Sequence, residues 1–161
     1  MMLDELNRMT AQSAADVLKM CCGSGRWAEG MTARRPFPDL ADLHRAADLV
    51  SQTLGREDWL EAFRSHPRIG ETRNVSRWSK KEQEGMEAAA EDLRTRLARL
   101  NQDYQERFGF IFIICAVGRS GEEMLAQLEE RMENHPDDEI RVASQEQTKI
   151  VHLRLNKLIY R

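Results

Sequence analysis

Three cysteines in 161 residues, two of them adjacent at Cys21 and Cys22, are too few and too badly spaced for a disulfide framework or a zinc cluster. They are expected as reduced, buried thiols. A basic excess is also missing. Lys and Arg number 24 against 27 Asp and Glu, giving a net charge of -3 and a pI near 5.9, which argues against nucleic acid as a partner. No apolar run approaches the roughly 20 residues that cross a bilayer, so a membrane is not an expected partner. The opening MMLDELNRMT is too polar for a secretory signal, and the expected location is the cytoplasm. HExxH, spaced histidine pairs and usefully spaced cysteine pairs are lacking too, so no metal is expected. What remains is a chain 41% apolar and 32% charged, long enough for one ordinary domain over residues 1–161.

The dominant pattern is helix. Apolar residues recur at spacings of three and four over Leu6–Cys22, Leu40–Leu54, Glu57–Arg64, Lys80–Phe108, Glu122–Glu133 and Asp138–Tyr160, with breaks at Gly, Pro and Asn. This predicts an all-α fold. GRWAEGMTARRPFPD, Gly25 to Asp39, holds two prolines and two glycines and reads as an ordered connection carrying Trp27 and Phe37 into the core. Its arginines face either solvent or a ligand.

One run does not fit. FIFIICAV, Phe110 to Val117, is β-branched and aromatic, is bracketed by Gly109 and Gly118, and alone would be taken for a buried strand. A solitary strand cannot satisfy its own backbone donors and acceptors. Either side chains and a ligand take those groups, making the run a buried apolar segment that lines a pocket, or it is a central core helix.

The candidate chemistry starts at SHPRIG. Pro67 ends the preceding helix and biases His66 toward an extended backbone, which would hold its ring in one direction. His66 is then either a loop residue in water or a proton carrier at a helix exit. His44 and His152 lie within helical segments and carry no motif, and His135, in NHPDDE, is followed by acidic loop residues that suggest solvent exposure. In WSKKEQEGM, Ser79 and Glu82 form a capping box; the same first turn could project Ser79, Glu82 and Gln83 toward an anionic ligand at the positive end of the helix. SGEEM, from Ser120, repeats the box as a purely structural cap. In the last helix Ile140, Ala143, Gln147, Ile150, Arg154 and Leu158 share a stripe, which turns Arg154 inward as an ion-pair partner or an anion-binding residue.

HPRIG, WSKKEQEGM, LNQDYQERFGFIFIICAVGRS and ASQEQTKIVHLRLNKL, in that order, resemble the 2-oxo-4-hydroxy-4-carboxy-5-ureidoimidazoline (OHCU) decarboxylases of urate breakdown, and CCGSGRW and RRPF look like the bacterial and plant form. The resemblance implies an all-α, cofactor-free, commonly dimeric lyase that converts its ureidoimidazoline substrate to (S)-allantoin. By the same resemblance His66 and Glu82 are catalytic, and Pro67, Ser79, Gln83 and Arg154 bind substrate with main chain near Ile114, Ala116 and Gly118. Glu84-Gly85-Met86 departs from the family pattern in a way that bears on packing. Two other readings stay open: a non-catalytic helical interaction module, which predicts no small polar pocket, and a hydrolase acting on a related ureide.

Overall fold

A computed structural model describes residues 1–66 and 80–160; of residues 80–89 it describes the backbone alone. The described residues form eight helices and no strand: α1 (Leu3–Arg8), α2 (Ala11–Lys19), α3 (Gly25–Ala33), α4 (Leu40–Ser51), α5 (Arg56–Arg64), α6 (Lys80–Phe108), α7 (Gly121–Arg131) and α8 (Pro136–Leu158). They pack as two compact units, Met1–Ser65 with Ile140–Arg161, and His66–Glu139. The all-α expectation holds.

In the first unit α2 packs on α3, and α3 on α4 and α5. Its core gathers Leu6, Leu18, Trp27, Met31, Phe37, Leu43, Val50, Val151 and Leu155, all buried. Gly25 to Ala33 is helix, where the sequence suggested a connection. Ser24 starts it by accepting from the Trp27 N–H at 3.2 Å, and Trp27, Ala28 and Met31 form its buried face. Gly30 permits the packing, because a Cβ there would stand 2.8 Å from Val50 Cγ1. The connection proper begins after Ala33, and it is ordered by polar contacts. The Asn7 amide accepts from Phe37 N–H at 2.8 Å and donates to Phe37 O at 2.9 Å, which seats the buried Phe37 ring.

The predicted Leu6–Cys22 helix is two helices. Thr10 caps α2 by accepting from Ser13 N–H at 3.1 Å, and the Arg35 guanidinium donates to the carbonyls of Leu6 and Met9 at 2.7 and 2.8 Å. Those carbonyls lie at the end of α1, where the helical bonding pattern breaks off and Leu6 O keeps only a 3.4 Å bond from the Met9 N–H. Arg35 therefore belongs to the scaffold.

In the second unit α6 packs on α7. Ser120 caps α7 through the Glu123 N–H at 3.1 Å, as predicted. The acidic residues after His135 are the first turn of α8, where proline at the first helical position and carboxylates at the positive end are favourable. His135 itself is exposed, as expected.

Candidate functional site

In the first unit α5 ends at Ser65, whose hydroxyl donates back to Ala62 O at 2.7 Å. The chain bends there, and His66 follows half-buried. The turn after α2 closes onto this exit. A Cβ on Gly23 would lie 2.5 Å from Ser65 Oγ and 2.6 Å from Ser65 Cβ, so only glycine allows the approach. From α8, Arg154 Nη1 donates to the carbonyl of Cys21 in the same turn, at 3.3 Å. One short turn, CCGSG, thus touches both the residue before His66 and the guanidinium of Arg154.

Cys21 and Cys22 are buried, at 3% and 0% exposure, and joined in no disulfide. Burial pushes both thiols up to about 11, and the Arg154 guanidinium opposes that shift in each. They are therefore protonated, weak nucleophiles at neutral pH.

Arg154 is half-buried, at the edge of the buried stripe and outside its centre. The fully covered positions of α8 are Glu139, Ala143, Gln147, Val151 and Leu155, a strict four-residue step. Over the last three turns the predicted stripe runs one residue early. Ala143 and Gln147 are buried as expected, whereas Ile140, Ile150, Arg154 and Leu158 flank the seam. An edge position lets a guanidinium keep its stem in apolar contact while its head reaches polar groups.

The misfit run in the second unit is neither helix nor strand. Residues 111–116 carry neither helix nor strand ladder, between Gly109 at φ 82° and Gly118 at φ 77°, backbone that glycine adopts readily. Phe110, Phe112, Ile113 and Ile114 are buried; Ala116, Val117 and Gly118 are exposed. The Ile113 carbonyl accepts from Arg131 Nη1 at 2.8 Å. Side chains do take part of the backbone, as one of the two expected solutions required.

Arg131 belongs to a buried polar network with no sequence signal. Its Nε and Nη2 reach Glu139 Oε1 at 2.7 and 2.6 Å, and its guanidinium lies 4.4 Å from the Phe112 ring centre. Glu139 also accepts from Tyr104 Oη at 2.5 Å and from Asn134 Nδ2 at 2.9 Å. Burial first, and the Glu139 carboxylate second, raise the Tyr104 phenol far above its ordinary value.

His44 and His152 form a second feature absent from sequence reasoning. Their Nδ1 atoms stand 2.6 Å apart, with His44 Nε2 2.8 Å from Asn156 Oδ1 and His152 Nε2 2.6 Å from Asp48 Oδ1. The ring centres are 4.8 Å apart at 26°. That separation is close to the N···N distance plus two ring radii, so the rings meet edge to edge, more nearly in line than stacked.

Of the predicted site residues, Pro67 and Ser79 lie outside the described residues, and Glu82 and Gln83 stand on the first turn of α6 with side chains outside them. Among the described residues no group of three or more His, Cys, Asp or Glu could hold a metal ion, and no helix is long and apolar enough to cross a membrane.

One family description matches this all-α chain: OHCU decarboxylase, over residues 7–156. The chain belongs to the OHCU decarboxylase family. It is 40% identical over 157 residues to the uric acid degradation bifunctional protein TTL of Arabidopsis thaliana, covering 93% of this chain and 48% of that one. It is 30% identical over 156 residues to the 2-oxo-4-hydroxy-4-carboxy-5-ureidoimidazoline decarboxylase of Haloferax volcanii, covering 95% of this chain and 93% of that one. The chain spans about half the length of the Arabidopsis relative and about a third of two bifunctional Bacillus relatives. A crystal structure of OHCU decarboxylase in the presence of (S)-allantoin is similar, with TM-score 0.74, 41% identity, and 89% and 96% of the two chains covered. A crystal structure of (S)-allantoin synthase shares the fold, with TM-score 0.72 at 20% identity over 99% of this chain and 54% of that one.

Proposed function

We propose that this chain catalyses the cofactor-independent decarboxylation of 2-oxo-4-hydroxy-4-carboxy-5-ureidoimidazoline to (S)-allantoin in urate breakdown. The observation that carries the reading is the 41% identity, at TM-score 0.74, to an OHCU decarboxylase crystallised with (S)-allantoin. The chemistry fits the residues without a metal or an organic electron sink. The substrate bears a hydroxyl and a carboxylate on one carbon, beside a carbon that accepts electrons through its ring C=N bond. When the C–CO₂ bond breaks, its electron pair flows into that neighbouring system, and the enol-like species is then protonated on one face.

In this reading His66 exchanges the proton as general acid or base, one ring nitrogen giving or taking it. Glu82 orients that exchange or holds the ureido N–H groups. Pro67, Ser79 and Gln83 bind beside them, and the main chain near Ile114, Ala116 and Gly118 takes the amide-like edges of the ligand. Arg154 complements negative charge or a carbonyl. Its half-buried position against the Cys21 turn supports that role, since one bond to the Cys21 carbonyl orients the planar guanidinium. We also propose a cytoplasmic homodimer, to be checked by light scattering on the eluting protein.

The test is to generate the substrate from urate with the two upstream activities and measure carbon dioxide release. The wild type is expected to accelerate it, and His66→Asn to lose about 10²- to 10⁴-fold of the acceleration with its helical spectrum unchanged. His135→Ala, exposed in the other His-Pro pair, is expected to keep it. Equal rates for His66→Asn and the wild type would remove the role of His66.

A further inference from the structure

We propose that Arg131, locked by Glu139, is a positioning residue that fixes the main chain from Ile113 to Gly118 in the shape the ligand meets; this rests on the function proposed above. The run from Phe110 to Val117 forms no strand among the described residues, so no sheet ladder sets its shape. A side-chain bond buried at both ends reaches its main chain, from Arg131 Nη1 to Ile113 O at 2.8 Å.

The donor has little freedom. Arg131 and Glu139 side chains are 5% and 0% exposed. Nε and Nη2 both engage Glu139 Oε1, Phe112 lies against the guanidinium face, and Glu139 is itself held by Tyr104 and Asn134. A planar fork restrained at one edge and one face leaves Nη1 a single direction.

The bond sits where the run changes character. Phe110 and Phe112 to Ile114 are buried and Ile111 is half-buried; from Ala116 the segment is exposed, reaching 70% at Val117, and a turn follows in which Arg119 N–H donates to Ala116 O at 3.1 Å. Side-chain packing holds the first half, and packing cannot hold an exposed second half. The Ile113 carbonyl, held from the buried side by Arg131, lies at the entrance to that exposed half. Lysine at position 131 cannot reproduce the arrangement, because one ammonium lacks a rigid fork able to pair with the carboxylate and the carbonyl together.

The experiment combines amide hydrogen exchange on the peptide spanning 113–119, steady-state kinetics on the ureidoimidazoline, and thermal melts, for the wild type and Arg131→Lys. The expected result is about tenfold faster exchange at 114–118 well below the melting temperature, with KM raised about tenfold and kcat within a fewfold. A merely structural pair would lower the melting temperature and leave exchange in this peptide and KM at wild-type values; that outcome overturns the proposal. If Arg131→Lys does not fold, the pair Arg131→Met with Glu139→Leu replaces the buried charges by apolar groups, and the same readings decide. A wild type that shows no turnover sinks the proposed function, while the exchange measurement still decides whether Arg131 tethers the segment.

Discussion

The Cys21 and Cys22 thiols and Arg154 meet at one turn, and each carries a measurable consequence. Both thiols are pushed up to about 11 by burial, against an ordinary value of 9.0. Between these values the unfolded chain has released protons that the folded chain retains, so stability falls as pH rises. Their full contribution is present below about pH 9 and is lost as pH climbs through about 11, roughly 2–3 kcal/mol per thiol. Thermal melts across that window should fall more steeply for the wild type than for Cys21→Ala with Cys22→Ala; parallel curves would contradict the burial argument. Arg154→Lys should weaken allantoin binding, because lysine keeps the charge and loses the planar set of donors. Calorimetric titration with allantoin, beside melts of both proteins, checks this: unchanged affinity in a destabilised variant would make Arg154 part of the scaffold alone. The identities of these residues were legible in the sequence. Their meeting was not, because Cys21 and Arg154 are 133 positions apart and no spacing rule reaches that far.

Helices with a regular apolar period were readable nearly to their ends. Predicted Lys80–Phe108 coincides with α6, and Leu40–Leu54 overruns α4 by three residues. Errors arose where a local signal competed with a distant one. Two glycines and two prolines made Gly25–Asp39 look like connection, yet Gly30 is present for its close contact with Val50 and both prolines lie beyond the helix. The break between α1 and α2 depends on Arg35, 26 positions from Met9, which takes the carbonyls a continuous helix would have used. The buried stripe of α8 is displaced because a four-residue step, kept up through Ala143, Gln147, Val151 and Leu155, drifts from the mixed three-and-four spacing read from the sequence. At this scale the CCGSG turn gives the sharpest prediction. Gly23→Ala places a methyl against Ser65 and should cost about 1–3 kcal/mol by overpacking, with turnover reduced because the displaced residue precedes His66. Adding Ser65→Gly should restore the melting temperature by opening the space again. No recovery in the double variant would show that the contact is not the cause.

For the molecule as a whole, ordered motifs carried more than any single residue. SHPRIG, WSKKEQEGM and the run around FIFIICAV are each ambiguous alone, as loop, cap and strand, yet their order resembled a family that the chain proves to belong to. The run shows why such a segment resists local prediction. Its composition calls for a strand, but a strand needs a neighbour; the chain instead offers Arg131, itself neutralised by Glu139 eight residues later. His44 and His152 were equally invisible as a pair, being 108 positions apart. Pro67 and Ser79 lie outside the described residues, as do the Glu82 and Gln83 side chains, so their roles stand on the motif and on the proposed chemistry. The central claim is that this chain decarboxylates the ureidoimidazoline and protonates the product on one face. Its most direct test is the circular dichroism of allantoin formed from urate by the two upstream activities, with and without the purified protein. A growing signal of one sign, formed faster than spontaneous decay, is expected in the presence of the chain. Racemic allantoin appearing at the same rate with and without it would contradict the account.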